Sequence, residues 1–546
     1  MFRSFSRPAI ATIGLVVIGV VLRLWQYISA PSLWIDEAAL ARNIIDRPVR
    51  ALFGPLDYAQ VAPPGFLLIE KAAVLTLGSS EYVLRFFPLI CGLAALLAFA
   101  RLTHHLFDDW AAPFAAGMFA LGAPFVFLAS QVKQYSSDIL ASVVVLAATI
   151  WMRRQPDSIR RSLMLGLVGA VAVFFSQPAC FIVAGIGTAL ALLHVLERPR
   201  PAMGPLAIVG IMWGLAFSAA IVIGVRAMSP TDRLYVHWYW GAGFWPVPPR
   251  KASDLLWPFE QLTYAFGAFG SGPRRTNGGL NYPWSPLFAV MTLVGLFAIW
   301  KKRRDVALFL VAPALWTLAA SASQLYPFTG RVLTFLEPGF LLATAAGARY
   351  ALEIWPNRMQ LATPALLAVL GGSPVFAAVR GLPPERVEHI RPIVAAVARQ
   401  LQPEDAVYVY YGAGQATLYY APMFGLARGT LTVGRCSMAN PKAYLRDADR
   451  FRGRPRVWIL ATHLIRNTGE LQVLTDYLDA IGRRVNSMIV PATTGLPAQA
   501  AYLYLYDLSD ADRLHAASSD TFPVPAVELD QSIAQWGCYG TQTPVS

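Results

Sequence analysis

The sequence predicts a polytopic α-helical membrane protein with a soluble α/β domain after its last span. Three observations predict it. Of 546 residues, 56% are hydrophobic and only 14% charged, against roughly 25% charged in an average soluble protein. The apolar residues gather into runs of about 20, the length that crosses a bilayer core, and the runs stop near residue 380. Beyond about 385, helical stretches alternate with short β-rich ones.

The spans fall at roughly 8–29, 82–103, 111–129, 137–152, 162–177, 179–196, 205–226, 285–300, 305–322, 331–348 and 361–378, about eleven in all. The net charge of +13 is not a nucleic-acid signal. Its cations sit in short loops between spans: Arg153, Arg154, Arg160 and Arg161, then Arg198 and Arg200, then Lys301, Lys302, Arg303 and Arg304. That is the positive-inside pattern. With Arg3 and Arg7 inside, the N-terminus is cytoplasmic and the C-terminal part lies outside, in the periplasmic or extracellular space of a bacterial inner (plasma) membrane. The first span has some signal-peptide character, with Ser29 and Ala30 after it, but ten more spans follow and an uncleaved helix is expected.

Two long outer loops interrupt the spans, at about 30–81 and 227–284. In the first, residues 63–78 carry adjacent Glu70 and Lys71. A charge at mid-membrane costs about 2.5–3.5 kcal/mol on insertion scales, so this stretch reads as an interfacial helix. The second holds Tyr235, His237, Trp238, Tyr239, Trp240, Phe244 and Trp245, an aromatic belt or a platform for a sugar or prenyl chain. From 385 to 546, helices at 389–401 and 470–482 alternate with strands at Asp405–Tyr411, Arg456–Thr462 and Ala501–Leu508, the pattern of a largely parallel α/β sheet. Gly412 and Gly414 follow a strand, but without a third glycine they make no dinucleotide site. Cys436 and Cys538 fall in the outer domain, where a disulfide is permitted. No C-x-x-C or H-E-x-x-H spacing occurs, so a structural zinc or zincin site has no support.

Four polar clusters fall on the outer side, and each needs a reason beside a membrane. Trp34-Ile35-Asp36-Glu37 follows the first span. Asp36 suits a helix cap and Glu37 its first turn; neighbouring helical residues point about 100° apart, so the two carboxylates cannot form one acid–base pair. Gln60 precedes paired prolines and could bond a substrate hydroxyl. Lys133, Tyr135 and Asp138 open the fourth span; snorkelling accounts for the lysine, but Asp138 is awkward at the edge of an apolar run. Tyr326-Pro327-Phe328-Thr329-Gly330-Arg331 leads into the tenth span, where Arg331 is either an anchor or a phosphate ligand. Arg23 is a fifth candidate. Carboxylates that accept a hydroxyl proton beside cations that stabilise a phosphate leaving group suit transfer from a lipid phosphate.

The order of these clusters resembles the GT-C glycosyltransferases, in particular the bacterial relatives of protein O-mannosyltransferases and lipid A aminoarabinose transferases. The residues concerned are WIDEA at 34–38, QVAPPGFLLIEK at 60–71 with LRFFP at 84–88, VKQYSSD at 132–138 and YPFTGRVLTFLEP at 326–338, across roughly residues 8–380 of a transmembrane domain expected over 1–380. The resemblance implies inverting transfer of a sugar from a polyprenyl-phosphate donor to a lipid, glycan or protein hydroxyl. It implies catalytic roles for Asp36, Glu37 and Asp138 and donor-phosphate roles for Lys133, Tyr135 and Arg331. Gln60, Arg23, Trp34 and His237 follow as weaker substrate contacts. Close relatives often have His or Lys just before the paired prolines; Ala62 stands there. For a divalent metal, the candidate ligands are Glu37 and His237, and a carboxylate-dominated site favours Mg²⁺ or Mn²⁺. A lipid or solute transporter and a non-catalytic envelope assembly protein are the alternatives. The sugar, the acceptor and the oligomeric state are not legible in the sequence.

Overall fold

A computed structural model describes residues 6–199, 201–267, 279–354, 363–438, 440–464, 469–524 and 538. The chain divides into two units: Met1–Ser29, Ala62–Ala227 and Tyr239–Pro383 form the first; Ala30–Val61, Met228–Trp238 and Pro384–Ser546 form the second.

The first unit is a helix bundle. Each of the eleven apolar stretches contains helix, and among the described residues seven helices are long and apolar enough to cross a membrane, from Arg7–Ile28 to Arg304–Ala322. Shorter apolar helices at Ala111–Leu121 and Ala365–Arg380 accompany them. This is a multi-pass membrane protein. Helices Ser285–Lys302 and Glu337–Ile354 cross in close contact because Gly295 and Gly347 have no side chains. A Cβ on either would lie 1.7 Å and 1.9 Å from the carbonyl oxygens of Ala343 and Met291, and small residues are what permit such approach in membranes.

One expected span is broken. Residues 111–129 form two helices, Ala111–Leu121 and Ala123–Leu128, with Gly122 between them. The fully buried Arg23 meets the first of these helices at its end, donating to the carbonyls of Ala120 at 3.0 Å and Phe119 at 3.2 Å, and to Gly19 at 2.9 Å. Terminal carbonyls of a helix lack partners within it, and a cation there also opposes the helix dipole.

The stretch expected at the interface is helix Pro64–Leu77. Its charged pair does not face outward: Glu70 and Lys71 are buried, while Leu68, Ile69, Leu75 and Leu77 are exposed. Ionisable groups beside lipid cost less when turned towards protein.

The second unit is built on five strands: β1 (Ala406–Val409), β2 (Leu431–Val433), β3 (Val457–Ala461), β4 (Arg483–Val490) and β5 (Ala501–Asp507). The order is β2-β1-β3-β5-β4. Strands β2, β1 and β3 are parallel, but β5 runs antiparallel to both β3 and β4. The sheet is therefore mixed rather than largely parallel. The expected strands at 405–411, 456–462 and 501–508 are present; β4 adds an antiparallel edge whose first half, Arg483-Arg484-Val485-Asn486, lacks an apolar run. Strand β3 is buried throughout. Beneath the sheet, the buried Glu470 accepts hydrogen bonds from Tyr410, from Tyr411 at 2.9 Å and from Tyr444 at 3.0 Å, so a carboxylate is satisfied by three phenols. Cys436 and Cys538 are joined in a disulfide with their Cα atoms 5.4 Å apart.

Candidate functional site

In the first unit, two of the clusters converge. After a turn through Ser130–Gln134, helix Tyr135–Arg153 begins. Ser136 donates to the Leu128 carbonyl at 2.9 Å, and Ser137 to Gln134 at 2.7 Å and Phe175 at 3.0 Å, which pins the helix start. Lys133, Tyr135 and Asp138 are buried there. Asp138 bonds Ser176, and its Oδ1 has no hydrogen-bond partner among the described residues.

Arg331 arrives from the other cluster on a single 3₁₀ turn, Gly330–Leu333. Its guanidinium lies 5.9 Å from the ring of Tyr135 and 5.8 Å from that of Trp240, within cation–π range of both. Tyr326 donates to the Val332 carbonyl at 2.9 Å and sits in the field of Asp138 and Tyr135. The loop bearing Trp240 is tied to the same place: the Phe328 amide donates to Gly243 at 2.6 Å, and Ser321 to Gly243 at 3.2 Å. Segments around 135, 240 and 331 thus surround one planar cation with aromatic faces, and Asp138, with its open oxygen, shares the first turn of the helix that begins at Tyr135. Glu70 is an addition that sequence reasoning left as an interfacial charge. Neither of its oxygens has a partner among the described residues, and it shares the surroundings of Cys91 with Asp138.

The other candidates lie in the second unit. Helix Ile35–Asp46 has Trp34 as its cap, with no side-chain cap bond. Asp36 is therefore not the cap. It stands two residues into the helix, half-buried, with the fully buried Glu37 beside it. Both share the first turn, where the helix dipole favours carboxylates.

The missing cap comes from far along the chain. Glu388 Oε2 accepts from the Ile35 amide at 2.9 Å, and Tyr420 Oη from the Leu33 amide at 2.8 Å. The Ser32 hydroxyl pairs with His389 Nδ1 at 2.7 Å, and Arg42 donates to Gln415 at 2.6 Å and to Tyr58 at 3.0 Å. Gln60 is buried, its amide donating to the Tyr58 carbonyl at 3.1 Å. His237 is exposed on helix Pro230–Tyr239. His463 pairs with Glu388 through Nδ1 and Oε1 at 2.7 Å. No spacing in the sequence links residue 36 to residues 388 and 463; the one local signal is a histidine just after the apolar run RVWILAT.

Among the described residues, no group of three or more His, Cys, Asp or Glu side chains is placed to hold a metal ion. No step below is assigned to a metal.

These features belong to a membrane protein with the GT-C fold. Over 91% of its length the chain matches 73% of the crystal structure of the Archaeoglobus fulgidus oligosaccharyltransferase solved with Zn and sulfate, with a TM-score of 0.52 and 12% identity. It likewise matches the archaeal oligosaccharyltransferase AglB from Archaeoglobus fulgidus in complex with an inhibitory peptide and a dolichol-phosphate (TM-score 0.50, 13% identity, 92% of this chain and 74% of that one). ArnT from Cupriavidus metallidurans bound to undecaprenyl phosphate is similar over 92% of this chain and 98% of its own, at 13% identity and a TM-score of 0.49. No family model matches the chain, and no curated protein matches it in sequence.

Proposed function

We propose that this chain is an inverting glycosyltransferase that moves a sugar from a polyprenyl-phosphate donor to a hydroxyl acceptor at the outer membrane face. The observation that carries the reading is the Arg331 guanidinium between the rings of Tyr135 and Trp240, at the start of the helix that also carries Asp138, in a bundle of this fold. A planar guanidinium between aromatic faces can pair with phosphate oxygens through its fork, and Lys133 adds a second cation. Asp36 accepts the acceptor's hydroxyl proton as the acceptor oxygen bonds to the anomeric carbon. The bond from that carbon to the phosphate oxygen breaks on the opposite side, which inverts the centre. Polyprenyl phosphate departs with the bonding electrons, and Lys133 and Arg331 stabilise its charge. Asp138 and Glu37 hold their surroundings in register, and Trp34, Gln60 and His237 are offered as acceptor contacts. The disulfide supports an oxidising, outer compartment for the second unit. Residues 1–380 carry the donor chemistry in this reading, and 385–546 supply the acceptor side.

The test offers radiolabelled polyprenyl-phosphate sugars to wild type and to Asp36→Asn in liposomes. Label should move to a second molecule with wild type alone, while the variant keeps its fold. Full activity in the variant removes Asp36 from the chemistry; labelled lipid that crosses the bilayer unchanged points to a transporter.

A further inference from the structure

Beneath the Asp36 helix lies a pair of side chains that the proposed chemistry does not use. Glu388 and His463 meet at 2.7 Å through Oε1 and Nδ1, and the other Glu388 oxygen holds the Ile35 amide at 2.9 Å. Both residues have left-handed backbones, with φ of 52° at Glu388 and 53° at His463. Non-glycine residues in that region cost about 1–3 kcal/mol each and persist where surrounding contacts enforce them, often at functional sites.

The enforcing contacts are visible. One loop holds both backbones through consecutive carbonyls: the Glu388 amide donates to Gln499 at 2.8 Å, and the Leu464 amide, just after His463, to Ala498 at 2.9 Å. Gly412 lets the chain behind His463 come close. A Cβ there would lie 2.7 Å from the carbonyl oxygens of both Thr462 and His463. Because a carboxylate only accepts, Nδ1 carries the proton in the pair, and the second ring nitrogen is left to act elsewhere. The imidazole also interacts electrostatically with Asp36.

Resting on the catalytic reading of Asp36, we propose that Glu388 and His463 are positioning residues for that carboxylate. His463 fixes Glu388 through one carboxylate oxygen, and Glu388 fixes the start of the helix that carries Asp36 through the other.

The measurement is the steady-state transfer rate of the full chain in liposomes for wild type, Asp36→Asn, His463→Gln and Glu388→Gln, with melting temperatures for each. The glutamine at 388 still accepts from the Ile35 amide but has no charge for the imidazole. The expected result is a kcat lowered about tenfold or more in His463→Gln, with KM for both substrates within about twofold of wild type, the pattern of a group acting only in the reaction step. Glu388→Gln should fall in the same direction by less, with both variants still folded at the assay temperature. An active wild type and dead Asp36→Asn, with normal kcat in both new variants, overturns this inference alone; so does a change confined to KM. An inactive wild type, or an active Asp36→Asn, overturns the catalytic reading and this inference with it.

Discussion

His463 shows how a single side chain couples the site to its surroundings. Burial alone would push its pKa down, but the Glu388 carboxylate, its hydrogen bond and the field of Asp36 together leave it above the ordinary histidine value. A folded pKa above the unfolded one means that folding takes up a proton. The stabilisation is complete below about pH 6.5, the ordinary value, and is lost as pH rises through the elevated folded value. Melting temperature should therefore fall in wild type relative to His463→Gln as pH rises above about 6.5, the ordinary histidine value. A constant difference across that range would mean that the imidazole is not charged in the folded state. Arg23 carries the opposite lesson. As a buried cation near a membrane it reads as a substrate contact, yet its guanidinium donates to the carbonyls of Gly19, Phe119 and Ala120. Their distance along the chain hides that engagement from the sequence.

Among elements, the apolar helices were legible because crossing length is written directly into composition; each of the eleven stretches contains helix. The break at Gly122 was not, because a glycine between apolar runs carries no mark of the arginine that serves the preceding carbonyls. Strands β1, β3 and β5 were visible as β-rich runs, whereas β2 is three residues long and β4 opens with two arginines. Their pairing directions depend on partners that no local pattern names. Of the candidate residues, Lys133, Tyr135, Asp138 and Arg331 could be picked out as polar groups at the edges of apolar runs, but the aromatic enclosure of Arg331 needed three segments at once. The disulfide is the strongest single tie in the second unit. It closes a loop of 102 residues, so Cys538→Ser should cost that unit about 2–4 kcal/mol. Denaturant titration followed by far-ultraviolet circular dichroism checks this, and an unchanged midpoint would show that strand pairing already restricts the unfolded chain.

At the scale of the whole molecule, the units are not consecutive stretches of chain. Residues 30–61, which follow the first span, are packed with residues beyond 384. A chain ended at residue 383 would retain Asp36 but lose Glu388, His389, Gln415 and Tyr420, leaving the amides of Leu33 and Ile35 without their acceptors. Such a chain should insert in the membrane, show fast hydrogen exchange across 30–46, and transfer no sugar. Protection equal to the full chain would mean that the first loop folds without its distal partners. Unpaired buried amides are costly, which is why the effect should be local and large.

The cap on Ile35 also sets an order of events during synthesis. Its acceptor is 353 residues downstream, and the tyrosine that serves Leu33 is 387 downstream. At about 5–20 residues per second, the first loop waits roughly 20–80 s before the residues that finish it emerge from the ribosome. Through that interval the nascent chain has inserted most of its helices while the aspartate's helix is still uncapped. A ribosome that stalls before residue 388 therefore leaves the start of this helix without either of its distal acceptors.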